Sequence, residues 1–432
     1  MNGPGDLVPL PNAARLSPHV TRILGQNPSL MTLQGTNSYL LQPPSSPTAP
    51  AILVDTTSEE TSAAWLDLLV ERLTTDTGGL APLAHVVLTH RHPDHVGGLP
   101  ILLRKLKELG APPPQVWKLP SPDEAELQAG REKAWSDQAI GDTLRALEGT
   151  FVPFSPSEPL WPLKADGVVV AVDPSSGESG AAEARALADG GSLPDVPEAS
   201  RVSVRVVHTP GHTADSVSLV LGEGERGVFT GDTVLGQGTT IFADFGAYMA
   251  SLKTLLALNA PVLYPAHGPA IEGKEAAHAH IAEYIKHRQD REDIIVGVIK
   301  GIADEPGSLG TKLEALRQAK AATVSAAGLP PPVVADATAA AAAADLTPAF
   351  PAAGAPGDKA ASVSHLCHLV YQSGHPGLLM AASRTMGSHL AKLESEGKVR
   401  KVTAPLPVIS GWTAEPAKDG EAWEWIGGSS RL

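Results

Sequence analysis

Short apolar runs that end on polar, metal-ligating residue types recur along this chain. Residues 15–42 read as strand-turn-strand, with Val20, Ile23 and Leu24 first, a turn at Asn27-Pro28-Ser29 and then Met31 to Leu41, and Ala51-Ile52-Leu53-Val54 reads as a buried strand that stops at Asp55. Between 59 and 73 the apolar residues Ala63, Leu66, Leu69, Val70 and Leu73 fall at helical spacing. Val86-Val87-Leu88 is the next strand, followed by a helix over about 97–109 and short strands at 116–119 and 167–172. Three more strand-like runs, 202–207, 227–230 and 262–265, end at or shortly before His212, Asp232 and His267. Helices are expected at 246–258 and 274–303. Strands alternating with helices in two similar halves predict an α/β sandwich with layers αββα and its site at one edge.

The pattern breaks twice. Residues 174–200 carry Gly, Ser, Ala, Pro and acids without periodicity and read as a flexible insertion. Residues 304–360 drift into Ala, Pro and Gly, including the run Ala339–Ala344, and read as a linker. Periodicity returns over 361–405, where helical spacing closed by Glu396-Gly397-Lys398 and a short strand predicts a small winged-helix-like domain. The expected division is therefore 1–303, 304–360, 361–405, and a tail at 406–432 that no pattern places.

Candidate chemistry concentrates in Thr89-His90-Arg91-His92-Pro93-Asp94-His95-Val96-Gly97-Gly98. The chain has 15 histidines, so three within six positions around an aspartate are not a chance loop. Alternation puts His90 and His92 on one side as the strand ends, and the turn at Pro93 brings Asp94 and His95 round. Imidazole and carboxylate suit a borderline cation such as zinc, and two pairs can serve two ions about 3.5–4 Å apart. One loop cannot fill both sites, so His212, Asp232 and His267 are the natural completing donors. Arg91, between two of these residues, is expected to point away into a surface salt bridge.

Composition narrows the function. A net charge of −14 disfavours a global field that coats nucleic acid or membrane. Within 361–403, however, Arg384, Lys392, Lys398, Arg400 and Lys401 outnumber Glu394 and Glu396, a local basic patch of the kind that positions phosphates. Cys367 is the single cysteine, so there is no intrachain disulfide and no cysteine-based metal site. No run approaches the roughly 18–20 apolar residues of a membrane span. The first residues lack a secretory signal pattern, so an intracellular protein, cytoplasmic or mitochondrial, is expected.

The motif Thr89–His95, with His212, Asp232 and His267, resembles the metallo-β-lactamase superfamily. Asn27-Pro28, Met31–Leu40, Leu235–Phe242, Tyr248–Lys253 and His287-Arg288 resemble its lactamase-β-like protein 2 branch, which includes single-strand endoribonucleases and related fungal polyketide thioesterases. The resemblance implies a four-layer αββα sandwich and two zinc ions per chain. One zinc would lie on His90, His92 and His212, the other on Asp94, His95 and His267, with Asp232 bridging. Asp55 would buttress the ligand loop. The implied activity is a zinc-dependent hydrolase using a metal-bound hydroxide, with Asp94 orienting the nucleophile and taking its proton. Thr36, Asn37, Thr239 and Thr240 are candidates for the substrate pocket. Single-stranded RNA, held by the cleft and the basic 361–403 module, is the first substrate. An acyl thioester on an acyl carrier protein or a small thiol is the alternative, and a non-catalytic scaffold the third reading.

Overall fold

The computed structural model describes residues 7–427 apart from 45–48, 75–77, 173–185, 188–197, 327–352, 372–375, 405–419 and the single positions 131, 148, 154, 156, 159, 166 and 356. The chain forms two compact units, Met1–Thr240 with Gly246–Ile285, and Ile241–Phe245 with Lys286–Leu432.

The first unit holds two seven-stranded sheets. One runs in chain order through β1 (Ala13–Arg15), β2 (Val20–Leu24), β3 (Asn37–Leu41), β4 (Ala51–Val54), β5 (Leu83–Leu88), β6 (Gln115–Lys118) and β7 (Trp161–Pro162). The other has the order β14-β13-β12-β11-β10-β8-β9, built from β8 (Val168–Val172), β9 (Ala186–Leu187), β10 (Arg201–His208), β11 (Val217–Leu221), β12 (Val228–Gly231), β13 (Val262–Pro265) and β14 (Ile271–Glu272). Alternation along the strands builds two cores from one sequence run. Val87 turns inward with Tyr39, Ile52 and Val54 to meet Val204, Val206, Leu219 and Phe229 of the second sheet. Its neighbours Val86 and Leu88 turn outward onto Trp65 and Leu69 of α1 (Ser62–Leu73) and Leu102 and Leu106 of α3 (Leu99–Glu108). Between β5 and α3 lies the one-turn α2 (Pro93–Val96), which starts on a proline where a missing N–H costs nothing.

On the second sheet's outer side, α6 (Phe245–Leu258) is tied down by Tyr248, whose hydroxyl donates to Thr233 O at 2.7 Å, and by Ser251, which donates to Pro210 O at 2.7 Å. The close approach requires Gly211: a Cβ there would stand 2.4 Å from Tyr248 Cα. Two short helices, α4 (Glu124–Ala129) and α5 (Asp137–Arg145), follow β6.

The second unit takes the C-terminal part of α7 (Lys274–Asp304), then α8 (Leu309–Ala326), the helices Val363–Tyr371 and Pro376–Ser395, and a three-stranded sheet β15-β17-β16 (Ala360–Ala361, Glu421–Trp425, Val399–Thr403). Ile295, Ile299 and Ile302 share a core with Met386, Leu390 and Leu393, both sets at the i, i+4, i+7 spacing of a helix face. Cys367 is buried in that core.

Two expectations change here. The stretch 304–360 is not all linker, because Leu309–Ala326 is helical: Leu, Lys, Glu, Gln and Ala are strong helix formers, and Leu309 is anchored in the core. The tail is not patternless either. Glu421–Trp425 pairs antiparallel with Val399–Thr403, and Trp423 joins the core. Most of the expected insertion at 174–200, and the Ala339–Ala344 run, lie outside the described residues. Among the described residues no helix is long and apolar enough to cross a membrane.

Candidate metal centre

Strands β4, β5 and β6 run parallel, as do β12 and β13, so the residues following their C-terminal ends gather at common edges. Asp55 follows β4, His90 and His92 follow β5, Asp232 follows β12 and His267 follows β13. Asp94 and His95 ride on α2, and His212 sits in the loop between β10 and β11. Gly231 lets the two sheet edges close up: its φ is +51°, and a Cβ there would press on Thr89 at 3.2 Å.

The structure brings all seven expected donors together, in two groups. His90, His92, His212 and Asp232 present ligand atoms that lie within 4.8 Å of one another, and so do Asp94, His95 and His267. In the first group His92 Nδ1 is 3.0 Å from His90 Nε2 and 2.9 Å from His212 Nε2. Asp232 Oδ2 is 3.4 Å from His212 Nε2 and 3.9 Å from His90 Nε2. Four donors about 2.0–2.1 Å from a tetrahedral zinc would be spaced about 3.3 Å apart, and the observed separations straddle that value. In the second group Asp94 Oδ2 lies 3.2 Å from His95 Nε2 and 3.3 Å from His267 Nε2. The other oxygen of Asp232, Oδ1, faces this group at 3.2 Å from His267 Nε2 and 3.6 Å from His95 Nε2. One carboxylate thus addresses both groups.

The far nitrogens of the rings are held by supporting residues. His95 Nδ1 donates to Asp55 Oδ2 at 2.9 Å, and the same oxygen accepts the Thr89 hydroxyl at 2.8 Å. That leaves Thr89 Oγ1 to accept from His90 Nδ1 at 3.1 Å. Thr240 Oγ1 lies 3.2 Å from His212 Nδ1. Each contact fixes a ring's orientation with the opposite nitrogen aimed into the cluster. Asp55 itself adopts φ +57°, a conformation rarely used by non-glycine residues, at the point where its carboxylate must turn back under the loop.

Two buried atoms inside the cluster, His95 Nε2 and Asp232 Oδ1, have no hydrogen-bond partner. Leaving such groups unpaired costs about 1–3 kcal/mol each, and a cation satisfies both. The charges divide the rings into two kinds. Burial, then the neighbouring imidazoles, hold His90 well below its ordinary value and His92 down to about 3, so their lone pairs are free. Burial also opposes charge on His95 and His267, but the carboxylates outweigh it, and His267 is pushed up to about 10. Asp94 and Asp232 are held low by the same histidines against the opposing effect of burial. The cluster is an N/O donor set with ionised carboxylates, suited to a divalent cation.

Of the four residues expected in a substrate pocket, three are buried and hydrogen-bonded around the donors. Thr36 is fully buried; its hydroxyl donates to Asp94 Oδ2 at 3.2 Å. Asn37 is fully buried and its amide donates to Pro265 O at 2.9 Å and Gly268 O at 2.8 Å, bracketing His267. Thr240 holds His212 as above, and Thr239 is exposed.

Arg91 is a clearer correction. It is buried rather than on the surface: its guanidinium meets Asp215 Oδ1 at 2.9 Å and takes both oxygens of Asp123 at 3.1 Å. Asp215 also meets the buried Lys118 at 2.6 Å, and Lys118 reaches Asp137 at 2.7 Å. The sequence reading misses this ion cluster, whose members are spread over 91–215. The parity that sends Arg91 away from His90 and His92 was its only signal.

The basic residues of 392–401 are also differently placed than expected. Lys392 pairs with Glu292 at 2.6 Å and Glu396 at 2.8 Å, Lys398 with Glu396 at 2.7 Å, Arg400 with Glu424 at 2.8 Å, and Lys401 with Glu421 at 2.9 Å. Three of these four acids lie outside 361–403, so the local count of charges overstated the patch.

A family model described as the metallo-beta-lactamase superfamily matches residues 31–267, the span from the first sheet to the last donor. The chain belongs to the metallo-β-lactamase superfamily. A second model, the beta-lactamase associated winged helix domain, matches 362–412. This superfamily hydrolase is 32% identical over 286 residues to "Beta-lactamase-like protein 2 homolog" of Caenorhabditis elegans, covering 66% of this chain and 72% of that one. It is 32% identical over 283 residues to "Lactamase-like protein adaB" of Aspergillus niger, covering 65% and 64%. To "Atrochrysone carboxyl ACP thioesterase AgnL7" of Paecilomyces divaricatus it is 30% identical over 308 residues, covering 71% and 72%. Among solved structures, a beta-lactamase domain protein from Burkholderia ambifaria superposes with a TM-score of 0.55 at 17% identity, covering 98% of this chain and 96% of that one. A metallo-beta-lactamase family protein from Thermus thermophilus gives 0.52 at 18%, covering 95% and 100%. These likenesses establish the fold, a metallo-β-lactamase sandwich with a C-terminal winged-helix domain.

Proposed function

We propose that this chain is a dinuclear zinc hydrolase that cuts single-stranded RNA internally. The observation that carries the dinuclear reading is Asp232, whose two oxygens address two separate donor groups. His90, His92 and His212 would hold one zinc, Asp94, His95 and His267 the other. When bound, such a pair supplies Lewis acidity and lowers the pKa of a water from about 15.7 towards about 7.

The chain's own residues do the rest. Asp94 has its Oδ2 pinned by Thr36 and directed at His95 and His267, while it remains partly open to solvent. Its ionised carboxylate orients the attacking water and accepts its proton. The water oxygen bonds to phosphorus, one P–O ester bond breaks, and the leaving oxygen takes a proton from solvent. Asp55, Thr89 and Thr240 keep the rings from turning during this change. The RNA substrate is supported by the resemblance of Met31–Leu40 and Leu235–Phe242 to the endoribonuclease-containing branch.

Hydrolysis of an acyl thioester is the second reading. It is favoured by the carboxylate partners of Lys392, Lys398, Arg400 and Lys401, which reduce what that surface offers to phosphates, and by the similarity to a relative named as a carrier-protein thioesterase. The test compares the zinc-loaded protein with Asp94→Asn on a single-stranded RNA and on an acyl thioester, with zinc content measured for both. RNA cleavage that falls at least about 100-fold in the variant supports the proposal. Thioester turnover with the RNA left intact overturns the substrate.

A further inference from the structure

Solvent reaches four of the seven donors. His92, Asp94, His212 and Asp232 are half-buried, whereas His90, His95 and His267 are buried. Beside one of these, His92, stands Trp135, in the turn Lys133–Trp135. Its ring centroid is 5.4 Å from that of His92, and the two planes are 80° apart. The indole is itself half-buried, so part of its surface remains open to solvent beside His92.

That position is built rather than incidental. The turn lies between Asp123 and Asp137, and the ion cluster fastens residues on both sides of it to the ligand loop and to Lys118. Arg91, between His90 and His92, holds both oxygens of Asp123 at 3.1 Å and approaches Glu132 at 3.9 Å. Asp137, two residues after the tryptophan, meets Lys118 at 2.7 Å and accepts the Ser121 backbone N–H at 2.6 Å. Ser136 caps α5 by accepting from Ala139 N at 3.1 Å, and Glu124 Oε2 accepts from Asp137 N at 2.9 Å. The segment on either side of Trp135 is thus tied at several points, and the ring is set in advance beside the reacting centre.

We propose that Trp135 is a specificity-determining residue that stacks the nucleobase adjacent to the scissile phosphodiester. The assignment rests on the endoribonuclease reading above. An indole face accepts any base, so it adds affinity without fixing sequence, and it selects single strands because duplex bases are already stacked on one another. Substitution of a stacking ring by alanine costs about 5- to 150-fold per base.

The experiment uses the full-length zinc-loaded protein, Trp135→Ala and Trp135→Phe, and two single-stranded RNAs of one sequence, the second lacking the base next to the cleaved bond. The expected result is a KM on the intact RNA raised about 5- to 150-fold by Trp135→Ala, with kcat little changed and Trp135→Phe close to the parent. On the abasic RNA the parent should already be impaired, and Trp135→Ala should add no further loss. Equal losses on both RNAs, or none, overturn the proposal while leaving the nuclease reading intact. Loss of zinc in both variants also overturns it, because the ring would then be a brace for His92. Failure of the parent to cut either RNA overturns the nuclease reading and the nucleobase with it. If the parent then hydrolyses an aromatic acyl thioester and Trp135→Ala does not, the ring's occupant is an acyl group.

Discussion

Asp55 shows how much of the site depends on side chains that need never touch a metal. It accepts the Thr89 backbone N–H at 2.7 Å and the Thr89 hydroxyl at 2.8 Å, and orients His95 at 2.9 Å. Asp55→Asn keeps the shape but removes the charge and one acceptor, and is expected to weaken metal binding about 10- to 100-fold, measured by competition with a chromogenic chelator. Unchanged affinity would mean that packing alone holds His95. Asp215 carries a different burden, since its carboxylate neutralises two buried cations, Lys118 and Arg91. Its carboxyl lies below the usual range because the Lys118 charge and bond, then Arg91, outweigh the effect of burial. Removing one partner strands the others, so Asp215→Ala should cost about 3–5 kcal/mol in denaturant unfolding. At this scale the sequence was legible only where donors were adjacent. His90 to His95 declare themselves within six positions, while the Arg91–Asp215–Lys118 contacts join residues up to 124 apart and leave no local pattern.

Elements were easier to read than their partners. The strands 51–54, 83–88 and 262–265 follow from short apolar runs ended by Asp, His or Pro, and α7 follows from its long helical period. The helix Leu309–Ala326 was hidden because the sequence around it is rich in Ala, which signals helix or linker equally well until a core is present to bury Leu309. Strand Glu421–Trp425 was hidden because its partner Val399–Thr403 lies across a long connection. In the second unit, α7 and the helix Pro376–Ser395 are joined by Glu292, which reaches Lys392 at 2.6 Å and His389 at 3.5 Å. Burial raises the Glu292 carboxyl, but the bonds from His389 and Lys392 outweigh it and the net shift is downward from 4.5. A depressed carboxyl stabilises the fold above its unfolded value and loses that contribution as pH falls through its folded value. Glu292→Gln should therefore exchange amide protons faster than the parent in these two helices at neutral pH, with the difference shrinking below pH 4.5. A difference that persists undiminished in acid would assign the effect to packing.

For the whole molecule, the sandwich reads from the alternation of strands and helices, and the winged-helix domain from its helical spacing and closing turn. What a count of charges misread was the surface. Four basic residues of 392–401 meet carboxylates, three of which come from α7 and β17, outside the span that was counted. His90, His92, His212, Asp94, His95 and His267 are proposed to hold two cations around the single carboxylate of Asp232. Elemental analysis of the full-length protein, stripped with chelator, reloaded with zinc and freed of excess metal, tests it directly. The account predicts two zinc ions per chain, falling towards one or fewer in His267→Ala; a reloaded parent chain holding one zinc, or none, would contradict it.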